Sequence, residues 1–226
     1  MNARFIPIFM VYCSCLLPNL VAQNVSFDSS YTNTYYLQKS SHFRSLPTKK
    51  GATIFLGDSI TDMGEWWEIR GNNRTLNRGI SSDITFGLLA RIDEVIRHEP
   101  DTVFILIGIN DIARQIPETI ILQNMRRMID SILKPLPNTE VVLQTVLPTN
   151  PAYPQFRNHQ GREEQILVVN EGLSQLAAEY QIPLIDLHHH FADDQGFMKD
   201  RFTDDGLHLN GEGYAHWNQL LRQEGF

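Results

Sequence analysis

Short apolar runs alternate with amphipathic segments of helical length along most of this chain, and that alternation limits the folds open to it. The run at 102–107 is continuously apolar, which is typical of a strand covered on both faces of a sheet. Strand–helix alternation of this kind predicts a parallel sheet between two layers of helices. We therefore predict an α/β fold, a three-layer α/β/α sandwich with a central five-stranded parallel sheet. The predicted strands are 53–56, 75–78, 102–107, 140–146 and 183–187.

The segments between and after these strands have the periodicity of helices. In 82–99, apolar residues recur at helical spacing and Pro100 follows, which predicts a single helix that ends before the proline. Residues 23–50 are polar and aromatic, and we expect an N-terminal arm or short helix that packs on a single domain at 51–226. The predicted helices of that domain are 82–99, a segment opened by Pro117, 162–180 and 211–223.

The first 22 residues have the composition of a secretory signal peptide. A basic residue precedes a short apolar stretch at 5–17, and small residues follow near Ala22. The apolar stretch is too short to cross a membrane comfortably. We therefore predict that 1–22 is a signal peptide, that the protein is secreted or periplasmic, and that no stable membrane insertion remains after cleavage. The alternative is a buried or interfacial N-terminal segment.

The composition of the chain limits which binding partners and which catalytic groups can be expected. Both cysteines, Cys13 and Cys15, lie inside the predicted signal peptide, so the mature chain would have no thiol nucleophile, disulfide or cysteine-based metal site. The residues before Cys15 match a lipoprotein cleavage site poorly, so lipid anchoring is not expected there. The formal net charge of −7 does not favour nucleic acid or anionic membranes as partners. The oligomeric state stays open.

Two motifs far apart in the chain carry the residue types of a nucleophilic triad. Ser59 follows Gly57 at the end of the first predicted strand, where open parallel sheets place their chemistry. Much later, Asp205 lies three residues before His208. A serine hydroxyl is a weak nucleophile unless a base takes its proton, and that base needs a third group to hold its tautomer. The adjacent Asp204 is the alternative to Asp205 in the third role.

Four short blocks occur in order at the ends of predicted elements. They are Gly57-Asp58-Ser59-Ile60-Thr61, Asn77-Arg78-Gly79, Gly108-Ile109-Asn110-Asp111 and Asp205-Gly206-Leu207-His208. Together they resemble the blocks of the SGNH (GDSL-type) hydrolases, which implies a flavodoxin-like sheet and a serine esterase that needs no metal and no cofactor. The α/β-hydrolases are not indicated, because their nucleophile lies in Gly-x-Ser-x-Gly and position 61 here is threonine.

The resemblance also implies a role for each residue. Ser59 would attack an ester carbonyl, His208 would accept and later return a proton, and Asp205 would orient the imidazole. The negatively charged oxygen of the intermediate needs preorganised donors. By resemblance these are the backbone N–H of Ser59, the backbone N–H of Gly79 and the side-chain amide of Asn110. As alternatives, Gly79 could serve only a turn and Asn110 only a helix cap.

Three further side chains, Trp66, Trp67 and Arg114, are predicted to contact the substrate. Aromatic residues just beyond the nucleophile could line an acyl or sugar pocket, although one tryptophan could instead belong to the core. Arg114 could equally lie on an exposed helix face. The proline-rich segment 148–159 follows the fourth predicted strand and is expected to act as a specificity loop.

Three adjacent histidines at 188–190 follow the fifth predicted strand. Histidine is a common metal ligand. In an extended chain, however, successive side chains point to opposite faces, so the three rings would not converge on one ion. We therefore predict no metal site.

The expected activity is hydrolysis of a short-chain acyl ester, acetyl in the first instance, carried by a carbohydrate. One alternative is a lysophospholipase or a lipid esterase like the platelet-activating-factor acetylhydrolases. A second alternative, outside the enzymes, is a catalytically silent glycan-binding module. The intact set of Ser59, Asn110, Asp205 and His208 argues against the silent module.

Overall fold

The structure, a computed structural model, describes residues 26–226. The predicted signal peptide 1–22, with Cys13 and Cys15, lies outside the described residues. No helix of the described part is both long enough and apolar enough to span a membrane.

The sheet contains five parallel strands: β1 Thr53–Gly57, β2 Thr75–Gly79, β3 Thr102–Leu106, β4 Glu140–Gln144 and β5 Leu184–Ile185. Their order is β2-β1-β3-β4-β5, with every neighbouring pair parallel. This is the flavodoxin-like order, so the predicted fold is confirmed. The order reverses at β1 and β3, and a crevice for ligands is expected beyond their carboxyl ends.

Helices cover both faces of this sheet. Helices α4, α5, α7 and α8 pack against one another on one face, and α3 packs with α10 on the other. The α-helices within residues 26–226 are α1 Thr34–Ser45, α2 Ser59–Asp62, α3 Trp66–Arg70, α4 Thr85–Ala90, α5 Ile92–Ile96, α6 Ile109–Ala113, α7 Glu118–Leu133, α8 Glu163–Tyr180, α9 Leu187–Phe191 and α10 Gly211–Gln223.

The segment 82–99, predicted as one helix, forms the two short helices α4 and α5, which meet at Arg91. The buried Arg91 guanidinium pairs with Asp83 at 2.9 Å. It also donates to the carbonyls of Arg78 at 2.9 Å and Gly57 at 3.1 Å, at the ends of two strands. These tertiary bonds override the local helical pattern and attach the helix pair to the edge of the sheet next to Ser59.

The fifth strand is shorter than predicted because the chain enters a helix directly after it. Asp186 caps α9 by accepting the backbone N–H of His189 at 3.1 Å. The expectation of an extended chain at 188–190 was therefore wrong. In the described part of the chain, no group of three or more His, Cys, Asp or Glu side chains is arranged to hold a metal ion.

An aromatic stack fixes α3 and α10 on the sheet. The Trp66 ring stacks on Phe55 of β1 at 3.8 Å, and Trp217 of α10 meets Trp66 edge-on at 4.6 Å. Phe55 also stacks on Phe104 of β3 at 4.8 Å. The indole N–H of Trp66 donates to the carbonyl of Thr61 in α2 at 2.8 Å. The stack therefore also restrains the short helix that carries Ser59.

The described part of the N-terminal arm packs on the domain through α1. The Tyr36 hydroxyl donates to the carbonyl of Gly87 at 2.7 Å. Two other side chains meet the carboxylate of Asp62, namely the Tyr35 hydroxyl at 2.6 Å and the Lys39 ammonium at 2.7 Å. Asp62 ends α2, so the arm contacts the helix that begins with Ser59.

Candidate active site

Ser59 is the first residue of α2 and lies directly beyond β1. Asp58 caps this helix by accepting the backbone N–H of Ile60 at 3.0 Å. A Cβ on Gly57 would lie 2.2 Å from the carbonyl oxygen of Leu106 in β3, so only glycine permits this close approach. The Ser59 N–H has no acceptor among the described residues and is open to a ligand.

Ser59, His208 and Asp205 form a continuous chain of hydrogen-bonding side chains. Ser59 Oγ lies 3.0 Å from His208 Nε2, although the two residues are 149 positions apart. His208 Nδ1 lies 2.7 Å from Asp205 Oδ2. The alternative, Asp204, is exposed and does not contact the imidazole. The arrangement has the order of a nucleophile, a base and an orienting carboxylate.

Asp205 also holds the backbone of the loop that carries His208. Its Oδ1 accepts the backbone N–H of Leu207 at 2.9 Å and of His208 at 2.8 Å. Burial alone would raise the pKa of Asp205, but the hydrogen bonds from His208 and Leu207 outweigh it and lower that pKa. An ionised carboxylate only accepts, so the proton of a neutral imidazole lies on Nδ1 and Nε2 is free to accept from Ser59.

Asn110 is buried in α6, beyond the end of β3. Its Nδ2 donates to the carbonyl of Asp83 at 3.0 Å, and its Oδ1 lies 3.0 Å from His159 Nε2. The Nδ2 group carries two hydrogens. One is used by Asp83, which leaves the second for a ligand.

Gly79 does not offer the open amide that was predicted. Its backbone N–H donates to Oδ1 of Asn77 at 2.8 Å. A Cβ on Gly79 would lie 2.1 Å from the backbone nitrogen of Asp62, so glycine is needed for the packing of α2 against β2. The prediction of Gly79 as an oxyanion donor was therefore wrong.

The open amide of this segment belongs to Ser82. Its backbone is left-handed, with φ of 66°, and its N–H finds no acceptor within residues 26–226. The following residue, Asp83, accepts a hydrogen of Asn110 Nδ2 through its carbonyl, so the turn that contains Ser82 packs next to Asn110. Serine carries no sequence signal for left-handed backbone, and for that reason the sequence analysis missed this residue.

The three predicted substrate contacts have different outcomes. Trp66 is 0% exposed in the aromatic stack, so its prediction was wrong because a ligand cannot reach the ring. Trp67 is 58% exposed and remains available. Arg114 donates to the carbonyls of Ser30 and Ser82, so its guanidinium attaches the N-terminal arm to the loop with the open amide instead of lying free.

The loop after β4 brings two further residues to the triad. Phe156 is 43% exposed, has a left-handed φ of 50°, and places its ring edge-on to His208 at 4.8 Å. His159 lies in a short 3-10 helix, Arg157–His159, and reaches Asn110. The sequence indicated only that this loop borders the site, since contacts over such distances leave no local signal.

The family of the chain follows from its match to known proteins. The model of the family described as "GDSL-like Lipase/Acylhydrolase family" matches residues 55–216. The chain belongs to this family. The resemblance seen in the four blocks is thereby confirmed, and the enzymes of this family are lipases and acylhydrolases, which hydrolyse carboxylic esters.

Individual relatives of this acylhydrolase are distant. An arylesterase of Vibrio mimicus is 29% identical over 51% of this chain, and the match spans only 60% of that relative's length. The platelet-activating factor acetylhydrolase IB subunit alpha2 of Rattus norvegicus is 25% identical over 74% of this chain and 72% of its own. A crystal structure of a GDSL-like lipase from Bacteroides thetaiotaomicron has a TM-score of 0.72 and 25% identity, over 84% of this chain and 96% of its own.

Three buried carboxyl groups, those of Asp58, Asp83 and Asp111, lie close to Ser59 and Asn110. Burial raises the pKa of Asp58 to about 7 and that of Asp111 to about 7, and it also raises the pKa of Asp83. Asp83 is paired with Arg91, and Asp111 accepts the N–H and the hydroxyl of Thr85. These buried groups form a hydrogen-bonded scaffold next to Ser59 and Asn110.

Asp58→Asn is expected to change how stability depends on pH. The folded pKa of about 7 exceeds the unfolded value of ~3.9, so the folded protein binds the Asp58 proton more tightly and loses stability as pH rises from about 4 to 7. Asparagine keeps the oxygen that caps Ile60 and has no charge to bury. Relative to the wild type, the variant should gain about 1–4 kcal/mol of unfolding free energy between pH 4 and pH 8. Urea unfolding at both pH values measures this gain.

The matched control for this pH effect is the same substitution at the exposed Asp194. The difference in unfolding free energy between this control variant and the wild type should be the same at pH 4 and at pH 8. If the unfolding free energies of Asp58→Asn and the wild type stay parallel from pH 4 to pH 8, Asp58 does not carry the buried proton.

Asn110→Ala is expected to lower kcat about 10²- to 10³-fold and to leave KM nearly unchanged. Its free Nδ2 hydrogen would matter most when the ester oxygen becomes negative in the transition state. Steady-state kinetics with p-nitrophenyl acetate measure the split. Asn124→Ala is the control, because this buried amide bonds Thr85 and not the site. An unchanged kcat in Asn110→Ala would remove Asn110 from the oxyanion role.

Proposed function

We propose that the protein is a serine esterase that removes short acyl groups, acetyl in the first instance, from an ester carried by a carbohydrate. The observation that carries the reaction type is the hydrogen-bonded series from Ser59 through His208 to Asp205, at 3.0 and 2.7 Å. Hydrogen bonds of this length are within the range for proton transfer between a nucleophile and its base. A catalytically silent glycan-binding module would not require Ser59, His208 and Asp205 to be aligned in this way.

In the acylation step, Ser59 Oγ bonds to the ester carbonyl carbon and its proton passes to His208 Nε2. The carbonyl oxygen becomes negative and accepts from three donors: the Ser59 N–H, the Ser82 N–H and the free Nδ2 hydrogen of Asn110. His208 then gives its proton to the departing alcohol oxygen as the ester C–O bond breaks. Asp205 stays ionised throughout and stabilises the imidazolium.

In the deacylation step, a water molecule takes the position of the alcohol. His208 accepts a proton from the water, whose oxygen bonds to the acyl carbon. When the tetrahedral intermediate collapses, the bond to Ser59 Oγ breaks and the proton returns to that oxygen. The acid is released and the enzyme is regenerated.

The choice of a short acyl group on a glycan rests on the surroundings of the triad. Ser59 is 7% exposed and Asn110 is 8% exposed, so the side of the carbonyl that faces the donors is enclosed. Aromatic rings are suited to stacking on a sugar: Phe156 lies edge-on to His208, and Trp67 of α3 is exposed. The relative that acts as an acetylhydrolase supports acetyl as the acyl group. Export by the predicted signal peptide 1–22, to the periplasm or the exterior, belongs to the same proposal.

A lipid ester is the second candidate. Met63 directly follows α2 and is 52% exposed, and Trp67 and Phe156 are exposed as well. Exposed apolar side chains around a site suit a lipid surface. The similarity to a platelet-activating factor acetylhydrolase subunit favours this candidate equally.

A substrate panel separates the two candidates. p-Nitrophenyl esters from two to twelve acyl carbons define the acyl preference, and acetylated xylan and O-acetylated sialic acid are then compared with lysophosphatidylcholine. We expect the highest kcat/KM with the acetyl ester, and release of acetate from acetylated xylan or O-acetylated sialic acid. A maximum at eight to twelve carbons together with fatty acid release from lysophosphatidylcholine would establish the lipid esterase instead.

A further inference from the structure

His159 meets the amide of Asn110 from the loop that follows β4. Its Nε2 lies 3.0 Å from Asn110 Oδ1, and the two residues are 49 positions apart. The other ring nitrogen, Nδ1, is buried and has no partner within the described residues. The bond to Asn110 is therefore the polar contact that the His159 ring makes at this site.

The directions of the hydrogen bonds around Asn110 are fixed by chemistry. The backbone carbonyl of Asp83 can only accept, so the NH₂ group of Asn110 must face it. Oδ1 then faces His159 and can also only accept. His159 Nε2 therefore carries a hydrogen and donates it. In the flipped amide, Oδ1 of Asn110 would face the carbonyl oxygen of Asp83, and two acceptors would meet without a hydrogen between them.

The His159 ring is suited to remain a neutral donor. Burial lowers the pKa of His159, and the nearby His208 lowers it further. A neutral ring avoids repulsion when His208 becomes positive during the reaction. The backbone N–H of His159 donates to the Phe156 carbonyl at 2.8 Å, and the side-chain amide of Gln160 donates to the Tyr153 carbonyl at 2.6 Å. The loop is thus held in place before a substrate arrives.

We propose that His159 is a positioning residue that holds the Asn110 amide with its free Nδ2 hydrogen directed at the reacting carbonyl oxygen. The inference rests on the proposed function and extends it. Of the two partners of the amide, Asp83 O holds one Nδ2 hydrogen and His159 fixes Oδ1. Without His159, rotation of the amide would misdirect the donor that stabilises the transition state.

Three substitutions of His159 separate positioning from packing. His159→Leu removes the donor and should lower kcat for p-nitrophenyl acetate about 10- to 100-fold with little change in KM. His159→Gln places an amide nitrogen near the position of Nε2 and should restore most of kcat. His159→Asn is the matched control, because it carries the same amide on a shorter side chain that cannot reach Oδ1. Thermal unfolding of each variant reports whether it is folded.

A double-mutant cycle with Asn110→Ala gives the decisive readout. If His159 acts through Asn110, His159→Leu should lower kcat in the wild type and have no further effect in Asn110→Ala. The same fold-loss in both backgrounds would overturn the inference, as would equal rates for the Gln and Asn variants. If His159→Leu does not fold, the comparison of kcat between His159→Gln and His159→Asn still tests the positioning role. Activity that survives Ser59→Ala would instead refute the proposed function itself.

Discussion

Ser59→Ala is expected to lower kcat for p-nitrophenyl acetate by about 10⁴- to 10⁶-fold. The alanine removes the oxygen that would form the acyl-enzyme and leaves the open N–H of Ser59 in place, because that donor belongs to the backbone. His208→Ala should cost a similar factor, since serine without its base is a poor nucleophile. The double variant should be no slower than either single one, because the groups act as a unit.

Stopped-flow and steady-state measurements on the same preparations test this result. A burst of p-nitrophenol equal to the enzyme concentration is the sign of an acyl-enzyme, and it should disappear in Ser59→Ala. Ser174→Ala on the exposed face of α8 is the control and should keep the wild-type rate. Equal rates for Ser59→Ala and the wild type would end the assignment of Ser59 as the nucleophile.

The sheet and the triad could be predicted from sequence because their signals are local. A strand buried on both faces is apolar along its whole length, as at Thr102–Leu106. A parallel sheet gathers its strand ends at one edge, so motifs that follow strands converge there. Ser59 and Asn110 follow β1 and β3, which are neighbours in the sheet. The loop with His208 completes the site at this same edge.

The identity of the oxyanion donors could not be predicted in the same way. An open amide is defined by the lack of an acceptor, which depends on what folds against it. Asn77 takes the N–H of Gly79, and a left-handed turn exposes that of Ser82. The family resemblance gave a different expectation, because it assigned this role to the glycine of the second block, Gly79. The break between α4 and α5 is a similar case, because Arg91 interrupts the helical pattern to donate to carbonyls of β2 and β1 that are distant in the sequence.

The sequence also could not show which of two adjacent tryptophans lies in the core. The sequence placed Trp66 and Trp67 equally close to Ser59, with no basis for choosing between them. Successive residues of a helix point about 100° apart. In α3 that rotation puts Trp66 against Phe55 of the sheet and leaves Trp67 in solvent. Only the direction from which α3 meets the sheet decides which ring is in the core.

Trp66→Ala is therefore expected to destabilise the protein by about 3–5 kcal/mol, whereas Trp67→Ala should change stability by no more than about 0.5 kcal/mol. The first variant removes the ring that stacks on Phe55 and meets Trp217 edge-on, together with the indole hydrogen bond to Thr61. The second removes a ring that is 58% exposed. Urea unfolding followed by far-ultraviolet circular dichroism, which does not depend on tryptophan fluorescence, measures both shifts.

Kinetics of the same pair separate packing from substrate contact. Trp67→Ala should keep the fold and raise KM for the preferred glycan or lipid ester more than for p-nitrophenyl acetate, because the small ester does not reach that ring. Trp66→Ala should lower activity in proportion to its unfolded fraction, since the ring holds α3 and α2 in place and touches no substrate. Equal losses of stability in the two variants would show that α3 does not present Trp66 to the sheet.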